Sequence, residues 1–565
     1  MVQLHHRPVY RPGLRRRLGN TVNVASALTR SGIINPIRPV RFFRQFAVLH
    51  AWGTTLAGEF TSAAARDPYR TALVDDRGEL TYADVVERTS RLAAGFRLES
   101  PRPRIAVLCR NHRGLVETLI AGSKRGADMI LLNTGYGAGQ LRDVLTELRV
   151  DLMVADVEFA DIVYKAPQAA QRVVVWADAP GGSGPELEDV IADSRPVKLR
   201  PPRVQGRMIM LSSGTTGRPK GARRRPRPGL RPLASMLSRI PLRVHDTMVI
   251  DAPIFHTWGF AAMQMGFAMR GTLVLHRRFA AEQTLRAIAS HRKVDLFAAP
   301  VMVQRLMDLP PEILARYDTS ALRIVAVSGS ALPGDLASRF MDQFGDKLYN
   351  IYGSTEASWV SIATPRDLRA DPGAAGRPPR GTKLAILDQH GRPVPPGIRG
   401  HIYAGNELIF EGYTSGAPSD MRDGLLGTGD LGHIDRSGLL HVDGRVDDLV
   451  VSGGENIFPR EVEDALARLP EVLEVAVIGV PDPEYGQRLA AYIVPRPGSR
   501  LDADQVRGYI RERVARYAVP RDVNFISRLP RNATGKVVGR WLTESPAPTD
   551  GIGLDDRVPE GQVAF

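Results

Sequence analysis

The sequence predicts an α/β protein: a large layered N-terminal domain that carries an antiparallel subdomain, followed by a small mobile α+β C-terminal domain. Short apolar runs alternating with helix-period segments predict the layered part, because strand, helix and strand in succession bury best as a parallel sheet. Beyond Asp388-Gln389-His390-Gly391 the pattern changes to short alternating strands, which predicts the subdomain. A charged, turn-prone element, Gly444-Arg445-Val446-Asp447-Asp448, then separates these from a compact unit.

The 565 residues leave room for several folding units of about 150 residues each. An apolar content of 43% with 24% charged residues is that of an ordinary globular chain, neither fibrous nor wholly disordered. Cys109 is the only cysteine, so an intrachain disulfide and a zinc cluster of several cysteines are excluded, and a reducing cytoplasm fits. The longest apolar stretches, such as 261–269, fall well short of the roughly 20 residues that span a bilayer, so no transmembrane helix is expected.

The first element in order is a basic N-terminal extension at 1–58. It has no acidic residue and nine arginines, and it concentrates the formal charge of +14. Within it, Phe42, Phe43, Phe46, Val48 and Leu49 interleave with Arg41 and Arg44. Either these rings pack a helix onto the main domain with the arginines solvated, or the segment lies on an anionic membrane surface. No cleaved signal peptide is expected, because Arg and Pro break up the early segment.

The large domain is expected at 59–445. Leu80-Thr81-Tyr82-Ala83-Asp84 opens a helix in which Val85, Leu92 and Phe96 recur at helical spacing. Residues 104–108 read as a buried strand, 114–126 as a helix and 128–132 as the next strand. Further strands are expected at 152–155, 172–176, 208–211, 247–251, 272–276, 296–299 and 324–328, and the subdomain's at 401–404 and 438–442. The small domain is expected at 446–545, with a mobile Pro/Gly/Asp-rich tail at 546–565.

Met208-Ile209-Met210-Leu211 runs directly into Ser212-Ser213-Gly214-Thr215-Thr216-Gly217-Arg218-Pro219-Lys220-Gly221. Hydroxyls, unhindered backbone N–H groups and a lysine are what an anion-cradling loop requires. Lys220 lies outside the Walker spacing, which disfavours a P-loop NTPase. The residue order resembles the phosphate loop of the adenylate-forming superfamily, which includes acyl-CoA synthetases, aryl-CoA ligases, luciferases and peptide-synthetase adenylation domains. The resemblance implies that Ser212, Ser213, Gly214, Thr215, Thr216, Gly217 and Lys220 hold the phosphates of ATP. Ala222-Arg223-Arg224-Arg225-Pro226-Arg227-Pro228 departs from the family pattern. Its charge either draws anionic substrates to the site or sits on a solvated surface turn.

The other family signatures follow in order across 61–542. Ser328-Gly329-Ser330-Ala331-Leu332-Pro333 resembles the adenine-side loop, which implies a nucleotide-binding role for Gly329 and Ser330. Asn350-Ile351-Tyr352-Gly353-Ser354-Thr355-Glu356 combines a flat ring, a hydroxyl and a hard carboxylate, a set that suits a purine nucleotide and Mg²⁺. By resemblance, Tyr352 flanks adenine, Gly353 belongs to the same nucleotide-binding set, Thr355 contacts phosphate and Glu356 helps hold magnesium. Asp430, in Gly427-Thr428-Gly429-Asp430-Leu431-Gly432, is implied to bind the ribose diol, with Arg445 as a second contact. Asp447 is implied as the hinge between domains, with Gly453 and Gly454 approaching the pantetheine of coenzyme A.

Pro530-Arg531-Asn532-Ala533-Thr534-Gly535-Lys536-Val537 looks like the family's lysine loop. A carboxylate must attack an already anionic α-phosphate, and the Lys536 ammonium can neutralise the developing charge. Ile254-Phe255-His256-Thr257-Trp258-Gly259-Phe260 resembles the substrate-side aromatic motif. That places His256 near the acyl channel and leaves Phe255 and Trp258 as channel or core. Catalytic roles therefore fall to Lys536, His256 and Glu356. Where members often carry Gly-Glu, this chain has Gly400-His401.

The implied activity is an ATP-dependent acid:CoA ligase that passes through an acyl-AMP, with ATP, Mg²⁺ and coenzyme A as reactants. The overall style is most like actinobacterial fatty-acid:CoA ligases, which makes a medium- or long-chain fatty acid the leading substrate. An aromatic acid:CoA ligase and a fatty-acyl-AMP ligase are the alternatives. In a different class stands a degenerate synthetase that binds membrane or nucleic acid. The intact set of Lys220, Glu356, Asp430 and Lys536 argues against it, and no nucleic-acid partner is expected. The location implied is cytoplasmic, with peripheral membrane contact through 1–58 left open.

Overall fold

This computed structural model describes residues 24–35, 37, 39–96, 98, 100–165, 173–179, 184–195, 197–212, 220–225, 229–452, 455–533 and 535–543. The motif residues Ser213, Gly214, Thr215, Thr216, Gly217, Gly453 and Gly454, and the tail at 546–565, lie outside them.

Two mostly parallel sheets build the large domain. In the seven-stranded sheet, Arg104–Leu108 lies between Leu152–Ala155 and Asp128–Leu131. Asp128–Leu131 pairs in turn with β1 (Met208–Ser212), and β1 pairs antiparallel with β2 (Lys220–Arg224), Ser212 opposite Lys220. In the eight-stranded sheet, Thr247–Ile250, Val294–Ala298 and Leu322–Val327 are parallel neighbours. They are followed by β3 (Leu348–Ser354) and, antiparallel at the edge, β4 (Ser358–Ala363).

The strands read as continuous apolar runs because both of their faces are buried. Ile105 and Val107 face a core shared by the two sheets, while Ala106 and Leu108 join the core on the outer side. Met248 and Ile250 likewise enter the shared core, and Val249 the outer one. This is the two-residue period of the pleat. Arg113–Lys124 is buried on nearly every side, so that even Arg113, Glu117 and Lys124 are enclosed.

Three helices wall the region between the sheets: α1 (Pro39–Trp52), α2 (Leu56–Arg66) and α3 (Thr257–Ala268). Thr55 caps α2, its hydroxyl accepting from Gly58 N at 3.0 Å. Phe60 of α2 packs edge-on against Phe267 of α3, with centroids 4.9 Å apart. Gly58, where the basic extension was expected to end, lies inside α2, between the core residues Leu56 and Phe60. Gln45 of α1 is buried, whereas Val40 and Phe43 face outward, Phe43 with 69% of its surface exposed. Among the described residues no helix is long and apolar enough to cross a membrane.

The antiparallel subdomain has five strands, among them Gly400–Gly405, β5 (Leu425–Ile434) and β6 (Leu440–Arg445). The strand expected at 438–442 begins only at Leu440, because Gly438, with φ 85°, closes the turn by donating to Asp435 O. Beyond a 3-10 turn at Val446–Asp448, a second five-stranded sheet is covered by Pro459–Leu466 and Ala503–Arg513. Val462, Leu466, Val506 and Ile510 form their buried stripes.

Candidate active site

The register of β5 on β6 places Asp430 directly opposite Arg445. Their side chains approach to 3.5 Å, and the Tyr352 hydroxyl of β3 donates to Asp430 Oδ2 at 2.5 Å. Burial raises the Asp430 carboxyl above its usual range, although Tyr352 and Arg445 both pull the other way. Tyr352 is thereby fixed by its hydroxyl, leaving its ring as a rigid flat surface.

Immediately after Tyr352 the β3–β4 pairing slips by one residue. Gly353 sits at that slip, where a Cβ would lie 1.8 Å from Ser358 O, so only glycine permits the approach. The turn that follows presents Thr355 and Glu356. Thr355 Oγ1 is 3.4 Å from Thr257 Oγ1, and Glu356 Oε1 accepts from the Tyr413 hydroxyl at 3.0 Å. That bond commits one carboxylate oxygen and leaves the other for a cation. A single hard carboxylate beside nucleotide phosphates is a donor set that suits magnesium, which keeps several waters.

Arg224 corrects the surface-turn reading of the arginine-rich stretch. Lys220–Arg224 is a strand, and the Arg224 guanidinium is enclosed, donating to Ser358 Oγ at 2.7 Å and to Thr355 O. Burial lowers it to about 10, the Glu356 carboxylate opposing. No motif pointed to this half-buried cation. Its neighbours come from β4 and the turn before it, more than a hundred residues away.

A cavity of about 410 Å³ opens beside these groups. Thr355, Arg224, Gly329 and His256 line it from the large domain, and Lys536 and Asn532 from the C-terminal unit. His256 stands at the N-cap position of α3 without a side-chain capping bond, and its imidazole is held down to about 4, first by burial and then by the Lys536 ammonium. It is therefore neutral near pH 7. Gly329, with φ 101°, follows the Leu322–Val327 strand, with Ser330 next to it.

The lysine loop is a tight turn in which Lys536 N donates to Asn532 Oδ1 at 3.0 Å and Gly535 N to Asn532 O at 2.9 Å. Gly535, with φ 81°, abuts Val301 of the large domain, where a Cβ would come within 2.6 Å of Cγ1. Lys536 and Asp430 are also close enough that the ammonium favours the carboxylate.

Residues 60–414 match the family model for the AMP-binding enzyme, and residues 461–536 the model for the AMP-binding enzyme C-terminal domain. The chain belongs to the AMP-binding enzyme family. This AMP-binding enzyme is 35% identical to a feruloyl-CoA synthase of an Amycolatopsis species, over 84% of the chain and 96% of that relative. It is 31% identical to an indoleacetate–CoA ligase of Aromatoleum aromaticum, over 84% and 94% respectively. Among solved structures, ATP-bound MatB from Rhodopseudomonas palustris superposes with a TM-score of 0.76 at 27% identity, covering 86% of this chain and 98% of that one.

The AMP-binding enzyme places its remaining site candidates unevenly. Asp447 lies in the connecting 3-10 turn, 3.6 Å from Arg445. The backbones of Ser212 and Lys220 end β1 and begin β2, so the phosphate-loop candidates between them fall in the connection of this hairpin. Gly453 and Gly454 fall between the paired strands Val450–Ser452 and Glu455–Ile457. A feature that sequence reasoning missed is a smaller cavity of about 70 Å³, lined by Arg110, Arg277, Arg278 and Arg305 and by Asn532 and Gly535 of the lysine loop. The Arg277-Arg278 pair was its only signal in the sequence.

Proposed function

We propose that this ATP-dependent acid:CoA ligase activates a ring-bearing carboxylic acid. The observation that carries the reading is the single cavity that holds Lys536 and Thr355 and extends along α3. Its volume is in the range of small-molecule sites. Thr257, Ala261, Gln264 and Ala268 share one helical face of α3 along that cavity. Their small or slender side chains leave width for a flat ring, and Phe260 and Trp359 supply aromatic surface. The acids named for the two relatives, ferulic and indoleacetic, carry rings. A medium-chain fatty acid is the second reading, favoured by Met236 and Met265, whose flexible thioethers adapt to a chain.

In the first half-reaction a carboxylate oxygen attacks the α-phosphorus of ATP, a new P–O bond forms, and pyrophosphate leaves. Lys536 neutralises the approaching oxygens, the Ser212–Lys220 region holds the departing phosphates, and Asp430, Arg445 and Tyr352 hold the nucleoside. Glu356 is the residue that would hold magnesium, which when bound supplies charge neutralisation to the triphosphate. In the second half-reaction the C-terminal unit turns about Asp447 and withdraws Lys536. The coenzyme A sulfur then attacks the acyl carbon, AMP leaves, and the thiol proton goes to solvent. Of the arginines that line the cavity at the lysine loop, Arg110, Arg277 and Arg278 are ion-paired with Glu158, Asp76 and Asp178, so phosphates of coenzyme A would meet them only by sharing these partners.

An acid panel with ATP and Mg²⁺ tests the reading, following pyrophosphate release and acyl-CoA formation with and without coenzyme A. Ring-bearing acids are expected to give both products. Folded protein that turned over no aryl or fatty acid would overturn the assignment.

A further inference from the structure

Away from the reacting end, the apolar wall of the large cavity is interrupted by polar side chains from three different helices. Gln45 of α1, Glu59 of α2 and Gln264 of α3 all line it. Gln264 Nε2 donates to Glu59 Oε2 at 3.3 Å, a long bond that leaves the other carboxyl oxygen for another partner. Gln45 is 7% exposed, and its Oε1 has no hydrogen-bond partner among the described residues. A buried amide oxygen without a partner is costly and rare, so one that lines a ligand-sized cavity calls for a partner that arrives with the ligand. Burial raises the Glu59 carboxyl to about 7, the Gln264 bond opposing. Near neutral pH it therefore keeps its proton in a large share of molecules and can donate as well as accept.

The adenylation and thioester steps use none of these groups. His256 stands at the start of α3 near Lys536, and Gln264 lies eight residues further along, or about 12 Å at the helical rise. A molecule whose carboxylate sits at the His256 end meets Gln264 and Glu59 only with its far end. We propose that Gln45, Glu59 and Gln264 form a distal recognition site, which selects acids carrying a hydroxyl or carbonyl group at the end remote from the carboxylate. The proposal rests on the ligase reading and narrows its substrate class to ring-bearing acids with a phenolic hydroxyl or a ring ketone. A site built to hydrogen-bond a substrate group rejects the analogue lacking it more strongly than an apolar pocket rejects an added hydroxyl.

The test uses matched pairs: para-hydroxycinnamic against cinnamic acid, and ω-hydroxyoctanoic against octanoic acid. Each is measured twice on the full chain, as a dissociation constant by calorimetry and as kcat/KM for pyrophosphate release. The hydroxylated member is expected to win by about tenfold or more in at least the ring-bearing pair. Glu59→Leu should abolish or invert that preference, and Glu59→Gln should keep most of it. Should Glu59→Leu fail to fold, as read from its thermal melt, Gln45→Leu and Gln264→Leu ask the same question. Equal affinities within the pairs, or a preference untouched by the leucine variants, would overturn the distal site. Binding that keeps the preference with no pyrophosphate released from any acid would overturn the ligase reading instead.

Discussion

At the scale of single residues, the chemistry depends on a cation that reaches the reacting atoms from another domain. Lys536→Ala is expected to slow pyrophosphate release by about 10²-fold or more, the usual cost of losing one oriented charge at a transition state. Thioester formation from supplied acyl-adenylate should fall far less, and equal loss in both assays would remove Lys536 from its assigned role. Lys536, Asp430, Tyr352 and Glu356 could each be picked out from the sequence because each sits in a short string of distinctive order. The pairing of Asp430 with Arg445 was not visible in the same way, since it is set by strand register. For Arg224 the sequence left two readings open, charge that draws anions to the site or a solvated turn, and the fold rules out the second. Whether an arginine is solvated or enclosed is decided by distant neighbours such as Ser358, not by the residues beside it.

At the scale of elements, the β3–β4 slip aims the nucleotide-facing turn. Gly353→Ala would drive a methyl group into Ser358 O and push the turn away from β4. A loss on the order of 2 kcal/mol or more in unfolding free energy is expected, with weaker ATP binding alongside it. An alanine variant with unchanged melting and nucleotide affinity would show that the slip does not position Thr355. Most of the parallel strands could be found in the sequence to within a residue or two, because runs buried on both faces are apolar without interruption, whereas Thr71–Asp75 and the half-buried Leu348–Ser354 were not expected. Helix α1 was harder. Its alternation of Phe and Arg fits a membrane face and a packed face equally well, and only its neighbours show that Gln45 turns inward while Phe43 turns out.

At the scale of the whole molecule, two ionic links lie around the connecting turn among the described residues, besides a 4.0 Å contact between Arg496 and Asp308. Arg399 donates to Asp443 at 2.8 Å in the large domain and pairs with Glu461 in the C-terminal unit, its guanidinium 4.8 Å from the Phe458 ring centroid. The second link joins Arg445 to Asp447 within the connecting turn. Asp447→Pro would fix the backbone φ at the point assigned to rotation. Adenylate formation is expected to stay within about threefold of the parent, while acyl-CoA formation falls by tenfold or more. A proline variant with both steps intact would move the hinge elsewhere. The two family models match residues 60–414 and 461–536, and Gln45 and Glu59 both precede the first of these regions. Two of the three groups proposed to meet the acid's far end thus come from a stretch that neither family model matches. Grafting that stretch between relatives would exchange their diets while leaving the engine untouched.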